Sequence, residues 1–171
     1  EGRATRPTVT LVGEMFPADP MSIGALLDPM DLDVGPVVPT REWRELYAAL
    51  DGAVVAGIHP FYTAAFREFE TARRPIVGSA PVGVEGTEAW LQAVGEAAGV
   101  SADRIAQAKN RCLPVIRGAL EGAPIRGRIT LSGYEGSELI VARLLCEAGA
   151  DVRYVGTACP RTPQSADHRE W

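Results

Sequence analysis

The chain has 171 residues, of which 46% are hydrophobic, 23% charged and 6% aromatic, a profile that excludes disordered and fibrous classes. Seventeen basic against 22 acidic side chains leave a formal charge of −5, which argues against a nucleic-acid surface, since phosphate binding needs a clustered basic face. No stretch approaches the roughly 20 apolar residues of a membrane span.

The opening residues, Glu1 to Pro7, carry no initiator Met and no apolar h-region, so they do not read as a signal peptide. Thr8–Val12 is β-branched and predicts a strand. Asp19 or Ser22 then caps a short helix that runs to Leu27 and stops at Pro29. Asp33–Val38 is a second extended piece, expected to be irregular at Pro36. Thr40 is the expected cap of a helix from Arg41 to Leu50 with Trp43, Leu46, Tyr47 and Leu50 on one face. Ala53–Gly57 is apolar throughout, as buried parallel strands are. A helix over 62–72 and a strand over 75–78 complete a β-α-β-α-β-α-β succession, which predicts a doubly wound parallel sheet.

The pattern then changes. Two helical runs follow, one with Thr87, Leu91, Val94 and Ala98 on a face, the other from the Ser101 cap to Leu120, where Pro114 is expected to kink or divide it. Residues 122–127 read as a linker. Beyond it come a strand over 128–132, a helix from Glu135 to Ala148 ended by Gly149, and a strand over 151–155. The last residues, Ser165–Trp171, read as the first turn of a helix cut while still running, and the whole as a piece of a longer protein. The expected division is a doubly wound α/β domain over 7–83, a helical connection over 84–127 and the start of a second Rossmann-like domain over 128–171. The two βαβ stretches echo one another: Thr10-Leu-Val-Gly matches Thr130-Leu-Ser-Gly, the paired leucines Leu26-Leu27 match Leu144-Leu145, and Asp33-Val34 follows the first pair at the distance at which Asp151-Val152 follows the second.

Ligands of open α/β sheets sit outside the carboxyl ends of the strands. The loops there contain neither G-x-G-x-x-G nor a Walker sequence, which disfavours a nicotinamide cofactor or ATP on this chain. They are rich instead in Met15, Phe16, Phe61 and Tyr62, side chains suited to a flat apolar ligand, although Phe16 and Phe61 serve equally as plugs over the sheet. His59 follows a buried strand and is a candidate proton donor or metal ligand, with a ring bonded to a backbone carbonyl as the bland alternative. Glu14 is a candidate acid if burial raises its pKa. His168 lies in a polar stretch and reads as surface. Cys112 and Cys146 fall on apolar helix faces and read as core, and Cys159 alone is placed in a loop suited to chemistry. The three cysteines form no C-x-x-C pair, which is neither a disulfide framework nor a zinc site and fits a reducing cytoplasm.

Longer strings carry a resemblance. Thr10-Leu-Val-Gly-Glu-Met-Phe-Pro-Ala-Asp-Pro-Met-Ser-Ile-Gly24, Val55-Ala-Gly-Ile-His-Pro-Phe-Tyr62, Ala80-Pro-Val-Gly-Val-Glu-Gly-Thr87, Leu131-Ser-Gly-Tyr-Glu-Gly-Ser-Glu138 and Tyr154-Val-Gly-Thr-Ala-Cys-Pro-Arg-Thr162 resemble the Y subunits of chlorophyllide a reductases, in the nitrogenase component 1 type oxidoreductase family. The resemblance covers nearly the whole chain. It implies a nitrogenase-like enzyme of bacteriochlorophyll synthesis, in which an ATP-dependent iron–sulfur reductase feeds a heterotetramer of Y and Z subunits that reduces the C7=C8 bond of ring B of chlorophyllide a. It also implies Rossmann-like domains, and a 4Fe-4S cluster whose ligands lie outside this chain. No cluster and no activity are then expected of the chain alone, and none of its cysteines is assigned as a ligand. The candidates for the pigment pocket are His59 and Glu14 as catalytic groups, with Met15, Phe16, Phe61 and Tyr62 as substrate contacts, placed by strand polarity; His59 is also a candidate ligand of the central magnesium. The alternatives are a subunit of the dark-operative protochlorophyllide reductase type, or a non-enzymatic Rossmann-like ligand-binding module.

Overall fold

The computed structural model describes residues 6–13, 19–59, 62–159 and 161. Strands β1 (Thr8–Val12), β2 (Asp33–Val38), β3 (Val54–Gly57) and β4 (Ile76–Val77) form one sheet in the order β2-β1-β3-β4, with every pair parallel. Alternation along the two central strands divides their side chains between two cores. Val9, Leu11, Val54 and Ala56 face one, and Val12 and Val55 the other. The first core is closed by Ile23 and Leu27 of α1 (Pro20–Leu27), by Trp90, Leu91 and Val94 of α4 (Gly83–Ala97), and by Ile105 and Ala108 of α5 (Ala102–Gly122). The second is closed by Ala49 and by Phe66 and Phe69 of α3 (Thr63–Thr71). Helices thus cover both faces of a parallel sheet, as expected.

Local signals explain most of the boundaries. The Asp19 carboxylate accepts from the backbone N–H groups of Met21 and Ser22, both at 3.0 Å, and caps α1 as the sequence predicts. The expected irregularity in β2 is a register shift: Val9 pairs with Val34 but Leu11 with Val37, so Gly35 and Pro36 together span one step.

Four helices depart from expectation. The helix predicted over 41–50 is reduced to α2 (Trp43–Ala48), capped by Glu42 and Glu45 in a reciprocal box instead of by Thr40. None of its residues is buried, and Trp43 and Tyr47 are 79% and 75% exposed, so its apolar face meets no core among the described residues. Pro114 does not divide α5, which runs unbroken for 21 residues. Leu113, Ile105 and Ala108 hold it in place by burial, which offsets the one backbone hydrogen bond a proline cannot donate. Helix α4 begins at Gly83 and not near Thr87, because the Glu147 carboxylate accepts from the N–H groups of Val84 and Glu85. That cap comes from 62 residues away and cannot be read locally. Glu147→Ala is expected to cost about 1–2 kcal/mol, the range of a lost N-cap with a helix-dipole contribution. Hydrogen exchange at Val84 and Glu85 should accelerate, and unchanged protection there would contradict this account of the cap.

Strands β5 (Arg128–Ser132) and β6 (Asp151–Gly156) pair in parallel through α6 (Glu138–Glu147) and form a second, two-stranded sheet. The echo in the sequence has a structural counterpart. Thr8 pairs with Asp33 in the first βαβ unit and Arg128 with Asp151 in the second, and each pairing contains one register shift. Helix α6 starts three residues later than predicted, because residues 133–137 form a turn instead of a first helical turn.

Candidate functional site

The carboxyl ends of β1, β3, β5 and β6 are the structural reference points for the site. Past β3, the Ile58 N–H still donates to the Val12 carbonyl at 2.9 Å, so the strand direction is kept until the chain delivers His59. Past β1, Gly13 turns at φ +101° directly against His59: a Cβ at residue 13 would strike the His59 Cβ. Only a glycine both adopts that φ and permits that approach. His59 is half-buried, and its ring meets the Tyr62 ring edge to face, with centroids 5.6 Å apart and planes at 83°.

The second sheet supplies the other side. The Glu135 backbone, in the turn between β5 and α6, lies near enough to the His59 imidazole to pull its pKa upward. Glu138, 8% exposed, holds that turn. Its Oε1 accepts from the Glu135 N–H at 2.9 Å, and its Oε2 accepts from the Thr157 hydroxyl at 2.6 Å, just beyond β6. The Cys159 N–H donates in turn to Thr157 Oγ1 at 3.0 Å. Gly133 is again a close approach, because a Cβ there would strike Glu138 Oε1. His59 therefore sits against the exit of β1 and within electrostatic reach of the turn after β5.

Burial is the main influence on His59 and lowers its pKa below the ordinary 6.5, against the opposing pull of the Glu135 carbonyl and of the Glu135 and Glu138 charges. The sign of the linkage follows. The folded chain takes up the proton less readily than the unfolded one, so His59 favours folding above pH 6.5 and this advantage is lost as pH falls through the window beneath it. An NMR titration is expected to place His59 below 6.5, and His59→Gln should flatten the corresponding slope of stability against pH. A midpoint above 6.5 would show the charges outweighing burial. The Glu138 carboxyl lies below its ordinary range. Burial raises it, but the hydrogen bonds from Thr157 and from the backbone of residues 135, 136 and 138 together outweigh that.

Of the residues singled out in the sequence, His59 and Tyr62 are brought together, whereas Glu14, Met15, Phe16 and Phe61 lie outside the described residues, as does His168. Glu138 and Thr157 went unrecognised in the sequence. The signal available was an acidic residue opening an apolar helical run just after a Gly-x-x-Gly turn. Cys112 and Cys159 are half-buried and Cys146 is exposed, and they lie on α5, beyond β6 and on α6. Among the described residues no group of three or more His, Cys, Asp and Glu is placed to hold a metal. No described helix is long and apolar enough to cross a membrane. A cavity of about 510 Å³ opens beside β2, lined by Pro20, Pro36, Val37, Arg41 and Glu45 among others; of the described candidates, neither His59 nor Tyr62 lines it.

Comparison with known proteins gives consistent results. Residues 1–170 match the family described as nitrogenase component 1 type oxidoreductase. The chain is 71% identical over 170 residues to the chlorophyllide reductase 52.5 kDa chain of Cereibacter sphaeroides, covering 99% of this chain and 34% of that one. The corresponding chain of Rhodobacter capsulatus is 69% identical with the same coverage. The light-independent protochlorophyllide reductase subunit N of Huperzia lucidula is 22% identical over 158 residues, covering 91% of this chain and 33% of that subunit. The chain thus spans about a third of the length of the curated relatives it matches. Among solved structures, a nitrogenase described as Cp1 at pH 6.5 superposes with a TM-score of 0.70 at 12% identity, over 92% of this chain and 32% of that one, which shows the fold.

Proposed function

Because the chain belongs to the nitrogenase component 1 type oxidoreductase family, we propose that it is part of the Y-type catalytic subunit of a chlorophyllide a reductase. The observation that supports a chlorophyllide reductase over a protochlorophyllide reductase is the wide gap in identity between the chlorophyllide reductase chains and the protochlorophyllide reductase N subunits; the Y assignment rests on the resemblance of the sequence strings. On this reading the whole enzyme is cytoplasmic, pairs Y with Z subunits in a heterotetramer, and adds two electrons and two protons across the C7=C8 bond of ring B. A 4Fe-4S cluster held outside this chain supplies the electrons, which arrive from an ATP-dependent iron–sulfur reductase.

This chain's part is to hold and orient the pigment where the two sheets meet. The family resemblance supplies a flat macrocycle with a central magnesium, and the geometry of His59 suits the metal better than it suits proton donation. A proton donor must be charged at working pH, and burial opposes that at His59. Histidine ligates metals as the neutral imidazole, the form that burial favours at His59. Tyr62 adds an apolar edge beside it. Glu14, at the exit of β1, remains the proposed acid, with Met15, Phe16 and Phe61 as proposed contacts.

Two measurements test this. Full-length subunit assembled with its Z partner and reductase should convert chlorophyllide a and leave protochlorophyllide unreduced; the reverse preference would move the chain to the other reductase. Binding of chlorophyllide a should exceed binding of its magnesium-free counterpart by about tenfold, some 1.4 kcal/mol. His59→Ala should abolish that difference, and a difference that survives would remove His59 from the metal.

A further inference from the structure

We infer that Glu147 is a latch that sets the angle of the second βαβ unit against the first sheet, and with it the spacing of the crevice at their strand exits. The inference stands on the contact between α6 and α4 and does not depend on what the crevice holds.

Chain connectivity alone does not fix that angle. Helix α5 ends at Gly122, where a Cβ would meet nothing within 4 Å, and residues 122–127 are exposed. The far end of this linker belongs to the second unit. There the Ile125 N–H donates to the Ala148 carbonyl at 2.8 Å, and the Asp151 N–H donates to the Gly127 carbonyl at 2.9 Å. The pivot is therefore confined to residues 122–124. Across it, one face of α6 meets the first unit. Ile140 is buried in the larger core, Leu144 packs against that core, and Arg143 and Glu147 flank them at helical spacing. Burial of Ile140 and Leu144 holds α6 down, but apolar contact is non-directional and permits sliding and rotation. Arg143 adds little direction, since its Nε stands 3.8 Å from a Glu85 carboxylate that is mostly exposed. Glu147 is different. Its two oxygens accept separately from the N–H groups of Val84 and Glu85, the latter at 3.1 Å, and charge-assisted bonds of this kind demand a narrow geometry. Gly83 turns at φ +72°, and a Cβ there would strike the carboxylate. The first turn of α4 is thus shaped around a residue of the second unit, and two bonds to helix backbone select one angle between the sheets.

The test is a distance measurement by electron spin resonance in the full-length subunit. Spin-labelled non-natural residues replace Glu68 on α3 and Tyr154 on β6, both exposed, and report between the units. A second pair, at Glu68 and at exposed Arg117 on α5, reports within the first unit. In the parent subunit the 68–154 distances should form a single narrow peak. Glu147→Ala should broaden that peak about twofold, because rotation about a few linker residues replaces one docked angle. The 68–117 peak should stay as it is. If Glu147→Ala fails to fold, Glu147→Gln keeps an oxygen for one N–H alone and should bring partial broadening. An unchanged 68–154 width in Glu147→Ala, or in Glu147→Gln where that stands in for it, overturns the inference. Equal broadening of the 68–117 peak also overturns it, because the first unit itself would then have loosened. Broadening as expected, together with unchanged affinity for chlorophyllide a, supports the latch and removes only the crevice as the pigment site.

Discussion

Trp90→Ala is expected to destabilise the chain by about 3–5 kcal/mol, the usual cost of truncating a buried aromatic. Trp90 is 0% exposed and sits in the larger core with Leu91 and Val94 of α4 and the inward residues of β1 and β3. For a chain of this size the loss should appear as a fall in Tm of roughly 10 °C, read by circular dichroism. Trp90→Phe is the informative partner. The indole N–H makes no hydrogen bond among the described residues, so exchanging it for a phenyl ring leaves no acceptor stranded and should cost less than half as much. A fall of only a few degrees for Trp90→Ala would mean that α4 packs more loosely than its burial indicates.

Gly13→Ala is expected to be nearly as severe, at about 2–4 kcal/mol, because strain and overpacking add. The backbone at Gly13 lies at φ +101°, and the new methyl would strike the His59 Cβ. Gly99→Ala separates the two contributions. Gly99 has φ +71° but nothing within 4 Å of its virtual Cβ, so it should cost only the strain, on the order of 1 kcal/mol. The excess at Gly13 then measures the close approach, and the His59 ring signals should shift in Gly13→Ala and stay in place in Gly99→Ala. Equal costs at the two glycines would show that His59 yields easily to the intruding methyl.

Where the sequence was legible, the physics was local. Five-residue β-branched runs, the Asp19 cap and the strand-breaking Pro36 act within a few residues of themselves, and they reappear as β1, the start of α1 and the register shift in β2. The same holds for the end of β3, which places His59 beside Tyr62. The misread features depend on distant groups. Glu147 sets where α4 begins, and no pattern near Gly83 announces it. Glu138 draws its meaning from Glu135 and Thr157, the latter 19 residues on. In α2 the amphipathic pattern was genuine, yet its face finds no buried partner among the described residues. An apolar stripe specifies that burial is favourable, but not what provides it.

That exposed crossover bears on the order in which the sheet assembles. To pair β1 with β3, the chain must close the segment between Val12 and Val54, and closure costs entropy that grows slowly with loop length. Crossover helices ordinarily offset that cost by packing on the sheet as it forms. Helix α2 buries nothing, so within this segment the gain comes mainly from Ile23 and Leu27 of α1, and the rest from α3, α4 and α5, later in the chain. The rate-limiting step should therefore be late docking of these later helices onto a β1–β3 pair, with the folding rate sensitive to Leu91 and Val94 and nearly indifferent to Leu46. Strands β5 and β6, joined directly by α6, form a shorter circuit and are expected to pair on their own faster timescale.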